Sequence, residues 1–125
     1  MFRSAVIAAM LASPSVAQDI SVPSGRDVAL IDVILEEATQ TARFRFLVPA
    51  IGGADPVGFA EMIPDIEHLC NALAIPGLAA NDWAADDIVI SLAEAEVPFG
   101  TVTDGVTQYF QPFRVENDTC IWEDF

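Results

Sequence analysis

The first seventeen residues constrain this chain more than any other stretch, because they decide which part of it folds and in which compartment. Arg3 is followed by an apolar run over residues 5–12, a breaker at Pro14, and the small residues Ser15 and Ala17. That is the pattern of a secretory signal cut after Ala17. The run is far shorter than the ~20 apolar residues needed to cross a bilayer, and no later segment is uniformly apolar over such a length, so no transmembrane segment is expected. The sequence therefore predicts a cleaved leader at residues 1–17 and a single domain over residues 18–125, periplasmic or secreted. A chain of that length buries only a modest core.

Charge removes whole classes of function. Without Arg3, four arginines face nineteen acidic residues, and the sequence contains no lysine. Nucleic acid binding requires a basic stripe along the phosphates, which these four arginines do not supply. P-loop and Schiff-base chemistry both need a lysine. The negative excess instead suits a solvated surface, or a face that docks a basic partner.

Cys70 and Cys120 are the only cysteines. In an oxidising compartment two cysteines are most simply one disulfide. The loop it closes, about fifty residues, corresponds to roughly 4 kcal/mol of unfolded-state entropy. Redox chemistry is not indicated: there is no Cys-x-x-Cys, and the single histidine, His68, lies about 160° around a helix from position 70. The same phase argues against a site in which His68 and both cysteines share a metal, so neither a metal nor a cofactor is expected.

Hydrophobic periodicity sets the elements. Residues 27–37 are rich in β-formers with apolar side chains at both parities, as in a mostly covered strand. In Arg43-Phe44-Arg45-Phe46-Leu47-Val48 the alternation turns Phe44, Phe46 and Val48 to the core and Arg43 and Arg45 outward together. A Gly/Pro-rich connection over residues 49–58 follows. Phe59, Met62, Ile63, Ile66, Leu69, Cys70 and Leu73 then fall on one helical face, with Glu61, Asp65, His68 and Ala72 opposite. Pro64 sets the regular start near Ile63, and Pro76-Gly77 ends the helix. A loop with Trp83 leads to a strand at residues 87–93, a turning stretch at 97–105, an aromatic strand at 108–116, and a two-residue Asn117-Asp118 turn into residues 119–122. The fold expected is α+β: a small, mostly antiparallel sheet of about five strands in the order β-β-α-β-β-β, with one amphipathic helix packed on one face.

Three groups of residues invite a chemical reading. His68 lies one helical turn from Asp65 and shares a face with Glu61, as a carboxylate-oriented base for a hydrolase or isomerase would; a solvated polar face produces the same pattern. Trp83 and Trp122, with Tyr109, Phe110 and Phe113 nearby in sequence, suit either an aromatic ligand pocket or the core. Arg43 and Arg45 form the only paired basic group, able to bind a carboxylate or to neutralise neighbouring acids. The acids of residues 81–87 lack the alternation and central glycine of a calcium loop.

Across His68-Leu69-Cys70, Ile88-Val89-Ile90-Ser91-Leu92, Val97-Pro98-Phe99-Gly100, Thr107-Gln108-Tyr109-Phe110 and the closing Cys120-Ile121-Trp122-Glu123-Asp124-Phe125, the chain resembles an uncharacterised family of small exported alphaproteobacterial proteins. The resemblance implies a periplasmic or secreted location and a Cys70–Cys120 pair, and it carries no activity. The function expected is an exported, non-catalytic binding or protein-interaction module that recruits a periplasmic or envelope protein through a sheet edge or its acidic face. A small-ligand carrier with an aromatic-lined pocket is the alternative, and a hydrolase or isomerase built on His68 stands behind it.

Overall fold

A computed structural model describes residues 18–124; the leader expected at residues 1–17 lies outside them. Six strands lie side by side in chain order: β1 (Gln18–Ile20), β2 (Val28–Glu36), β3 (Thr41–Leu47), β4 (Asp87–Ala93), β5 (Gln108–Glu116) and β6 (Thr119–Trp122). Every neighbouring pair is antiparallel except β3 and β4, which run parallel. A parallel pair requires a long crossover, and the chain supplies helix α1 over residues 59–80. The result is a curled, mostly antiparallel sheet with one helix against it. The strand count is six rather than the expected five, because three-residue β1 adds an edge to β2 at Val28, Ala29 and Leu30.

The alternation in β3 does what its sequence predicts. Phe44 and Phe46 point into the core with Ile88, Ile90 and Leu92 of β4 and Phe113 of β5, under Met62, Ile66 and Leu69 of α1. β2 explains its own mixed pattern through an irregularity at Ile31: Leu30 pairs with Phe46, whereas Val33 pairs with Phe44. A bulged residue of this kind shifts side-chain parity by one. Val33 and Leu35 therefore return to the helix-side face, where they remain exposed. At the other end of the sheet, Asn117 and Asp118 both take positive φ, 52° and 58°, between paired Glu116 and Thr119. That is the twist of a type I′ hairpin turn.

Helix α1 corrects two boundaries. It starts at Phe59, ahead of Pro64, because Glu61 Oε1 accepts from the Gly58 N–H (3.2 Å) and caps the first turn. Pro64 leaves the carbonyl of Ala60 without its α-helical partner, and Ala60 is exposed. Nor does Pro76-Gly77 end the helix. An α-helical part, Phe59–His68, passes into a π-wound part, Leu69–Ala74, and resumes as Ile75–Ala80. In the π-wound part the Ile75 N–H donates to the Cys70 carbonyl, one residue further back than in an α-helix. Pro76 then stands at the start of the new α-helical part, where a missing N–H is tolerated.

Two long-range ties fix α1 to the sheet. The Cys70–Cys120 disulfide, with Cα atoms 6.2 Å apart, joins the π-wound part to β6. Beside it the Cys120 N–H donates to Asn71 Oδ1 at 2.9 Å. Asp65, expected on the polar face, is instead 1% exposed. Its carboxylate accepts from the Ser24 N–H (3.0 Å) and hydroxyl (2.5 Å), so the connection between β1 and β2 folds down over it. Burying a carboxylate is tolerable here because its oxygens are hydrogen-bonded.

Candidate functional site

The residues proposed for acid–base chemistry do not converge. Asp65 is engaged by Ser24 and Glu61 by the Gly58 N–H. His68 is half-buried and makes no hydrogen bond to either carboxylate. Among the described residues no group of three or more His, Cys, Asp or Glu side chains is placed to hold a metal ion.

The two tryptophans are parted as well. Trp122 packs edge-on against Phe113 (centroids 5.5 Å apart) and Phe59 (6.1 Å), and Phe59 packs edge-on against Tyr109, whose hydroxyl donates to the Val57 carbonyl at 2.8 Å. These rings close one end of the core. Trp83 lies in a shallow groove of ≈450 Å³ beside Leu78, Ile88 and Val115. A wider depression of ≈520 Å³ between the β1–β2 connection and Pro49 sets Asp19 and Asp27 around Arg26 beside apolar residues such as Ile20, Val28 and Leu47.

The arginines form the better-built site. Arg43 and Arg45 project from β3 on the face away from α1, with Arg43 opposite Val89 and Arg45 opposite Ser91 on β4; Ser91 is in turn opposite Phe110 on β5. The connection over residues 94–107 folds back across this face, held by the Thr107 N–H donating to Glu94 Oε2 (2.6 Å) and by Gln108 Nε2 donating to the Thr101 carbonyl (3.3 Å). It brings Phe99 and Val102 over the arginines. Together these groups line a cleft of ≈370 Å³. Three of the five large apolar side chains exposed among the described residues, Phe99, Val102 and Phe110, belong to it.

The two guanidinium groups play different parts. Arg45 is 13% exposed and engaged on three sides: it reaches Asp32 Oδ2 (3.2 Å), donates to the Val97 carbonyl (2.6 Å), and lies 5.6 Å from the centre of the Phe99 ring. It fastens β2 and the 94–107 connection to the sheet and orients Phe99 by a cation–π contact. Arg43 is 34% exposed. Its Nε lies 3.1 Å from Glu36 Oε2, close enough for charge pairing, yet the N–H is not aligned on that oxygen and stays without a hydrogen bond although buried. No other side-chain hydrogen bond of Arg43 occurs among the described residues. Arg114 is unlike it, since Glu116 and Glu123 both accept from its guanidinium and raise its pKa.

A model of a family of unknown function, DUF6497, matches residues 5–125. The chain belongs to DUF6497. No curated protein and no solved structure matches it. Membership of DUF6497 supplies no chemistry, so the site has to be judged on geometry alone. In this DUF6497 chain the cleft combines one partly exposed planar cation, charge-paired with Glu36 at Nε, with exposed aromatic walls and hydroxyl and amide groups from Ser91, Thr101 and Gln108. Such a surface can bind and orient a molecule. Sequence reasoning singled out both arginines and named Phe110 among the pocket aromatics, but it did not join them or pick out Phe99 and Val102. Phe110 shares its strand parity with Arg114 rather than with buried Phe113, and Phe99 stands between two turn-forming residues in Pro98-Phe99-Gly100; both are signals of an aromatic side chain outside the core.

Proposed function

We propose that this protein is an exported, non-catalytic binding module whose recognition surface is the arginine–aromatic cleft between the outer sheet face and residues 94–107. One observation carries the reading: Phe99, Val102 and Phe110 stand exposed together in the cleft that Arg43 and Arg45 line. Isolated apolar residues on a surface need no explanation, but a cluster with arginine is the composition of a recognition site. The leader pattern and the Cys70–Cys120 disulfide support export, and among the described residues no helix is long and apolar enough to cross a membrane. The Trp83 groove and the Trp122 cluster give the carrier alternative no shared pocket, while the cleft offers it a different one.

The test uses one envelope extract and two baits, the wild-type protein and the double variant Phe99→Ser/Phe110→Ser. Retained proteins are identified by mass spectrometry after mild cross-linking, and retained small molecules by extraction of the purified bait. A protein or a metabolite held by the wild type and lost from the variant is the expected outcome. Identical profiles in both arms would exclude the cleft as the recognition surface.

A further inference from the structure

Resting on that reading of the cleft, we infer its ligand class: a small monocarboxylate with an aromatic or branched apolar body, its carboxylate held by Arg43. Arg45 is the less available of the two, being mostly buried and bound to Asp32, the Val97 carbonyl and the Phe99 ring. Arg43 lines the same cleft; its Nε is buried beside Glu36, and no side-chain hydrogen bond of its two terminal nitrogens occurs among the described residues, which leaves that end of the guanidinium open to a ligand. A guanidinium presents parallel donors that match the two oxygens of a carboxylate. Charge favours an anion of one negative unit over one of two. Glu36 lies 3.1 Å from Arg43 and Asp32 3.2 Å from Arg45, within a chain of formal net charge −14. Two arginines and their two acids sum to zero formal charge, so each negative unit on a ligand adds to an already negative surround, and a dianion such as a phosphate monoester meets more repulsion than a monoanion. Phe99, Val102, Phe110 and the half-buried Val89 supply walls that reward an apolar body. The volume of ≈370 Å³ is near the lower end for ligand sites, which suits a body of about one ring.

The probes are 3-phenylpropionate, its neutral isostere 3-phenylpropan-1-ol, and phenyl phosphate. Each is titrated into ¹⁵N-labelled protein, expressed from the full chain and purified with the disulfide formed, while amide shifts are followed. Tryptophan emission is a poor reporter, since neither Trp83 nor Trp122 lines the cleft. The acid is expected to move the amides of Ser91, Phe99, Gly100 and Phe110 and to bind at least tenfold more tightly than the alcohol or the phosphate. Arg43→Gln should remove that preference without lowering Tm, and Arg43→Lys should restore only part of it, because an ammonium lacks the planar fork. Equal binding of acid and alcohol at the cleft would overturn the carboxylate assignment while leaving the cleft a recognition surface. Tighter binding of the phosphate would overturn the charge argument. Absence of any shift at the cleft would overturn the inference outright, and the two-bait experiment would then decide separately whether the cleft recognises a protein.

Discussion

The two faces of strands β3, β4 and β5 are built from alternate residues of the same segments, yet they have opposite characters. On the helix side, Phe44, Phe46, Ile88, Ile90, Leu92 and Phe113 are closed under α1, which a disulfide pins to β6. On the outer side, Arg43, Arg45, Val89, Ser91 and Phe110 have only the 94–107 connection above them, and Phe110 is 45% exposed. A strand with a period of two thus assigns every second residue to stability and leaves the rest available. Aromatic residues found on the leftover parity are the informative ones, because the core has no use for them there.

The sharpest contrast comes from two phenylalanines. Phe46→Ala should cost about 3–5 kcal/mol in denaturant unfolding, as for a fully buried ring. Phe110→Ser should change stability by about 0.5 kcal/mol or less while abolishing binding at the cleft. Equal losses would mean that both faces are core. Next in size is the disulfide. Cys70→Ala/Cys120→Ala should lose about 2–4 kcal/mol and lower Tm by roughly 10 °C or more, read by calorimetry; an unchanged Tm would show that α1 needs no staple on β6. Asp65→Ala, which deprives the buried Ser24 tie of its acceptors, should cost about 1–3 kcal/mol and speed amide exchange at Ser24. Across the cleft, Arg45→Gln should cost about 1–2 kcal/mol through its lost bonds to Asp32 and Val97, against little or nothing for Arg43→Gln. A reversed order would exchange the fastening and binding roles of the two arginines.

The smallest effect concerns Asp87, at the outer-face end of β4. Partial burial first, then Glu123 and Asp86, raise its carboxyl above the ordinary value of 3.8 against the opposing pull of Arg114. The folded state therefore favours the protonated form. That contribution is present below the ordinary value and is lost as pH rises through the raised one. Asp87→Asn should raise Tm by about 1–3 °C near neutral pH, and the gain should vanish in acid, where the wild-type carboxyl is also neutral. A gain that persists in acid would trace to packing instead.

Much of the scaffold was legible because side-chain patterns there report simple geometry. Arg43-Phe44-Arg45-Phe46 announces a strand with two unlike faces, and Asn117-Asp118 announces a turn that needs two positive φ angles. What escaped were features decided by neighbours in space. β1 is only Gln18–Ile20 and is defined by its pairing with β2. The bulge at Ile31 made apolar side chains at both parities look like burial on both faces. The π-wound part ahead of Pro76 depends on α1 having a sheet to lie on, so the local rule that proline and glycine stop a helix gave the wrong end. Asp65 reads as solvated until Ser24, distant in sequence, is seen to fold over it. The cleft was half visible: its cations and the walls Val89 and Phe110 lie in readable strands, but Phe99 and Val102 come from a connection whose path no periodicity encodes.

Chain-order pairing also bears on how the molecule assembles. β1 to β3 and β4 to β6 are two groups of sequence neighbours whose strand contacts close over connections much shorter than the one between β3 and β4. Their one joint within the sheet is the parallel β3–β4 seam, which must close over residues 48–86. Closing so long a loop is entropically expensive, and non-local pairings tend to slow folding. Arg43 and Arg45 come from one side of that seam, and Ser91, Phe99 and Phe110 from the other. The cleft is therefore absent from either half alone and comes into being only when the halves dock, so a molecule lodged in it would act as a clasp across the last joint to form.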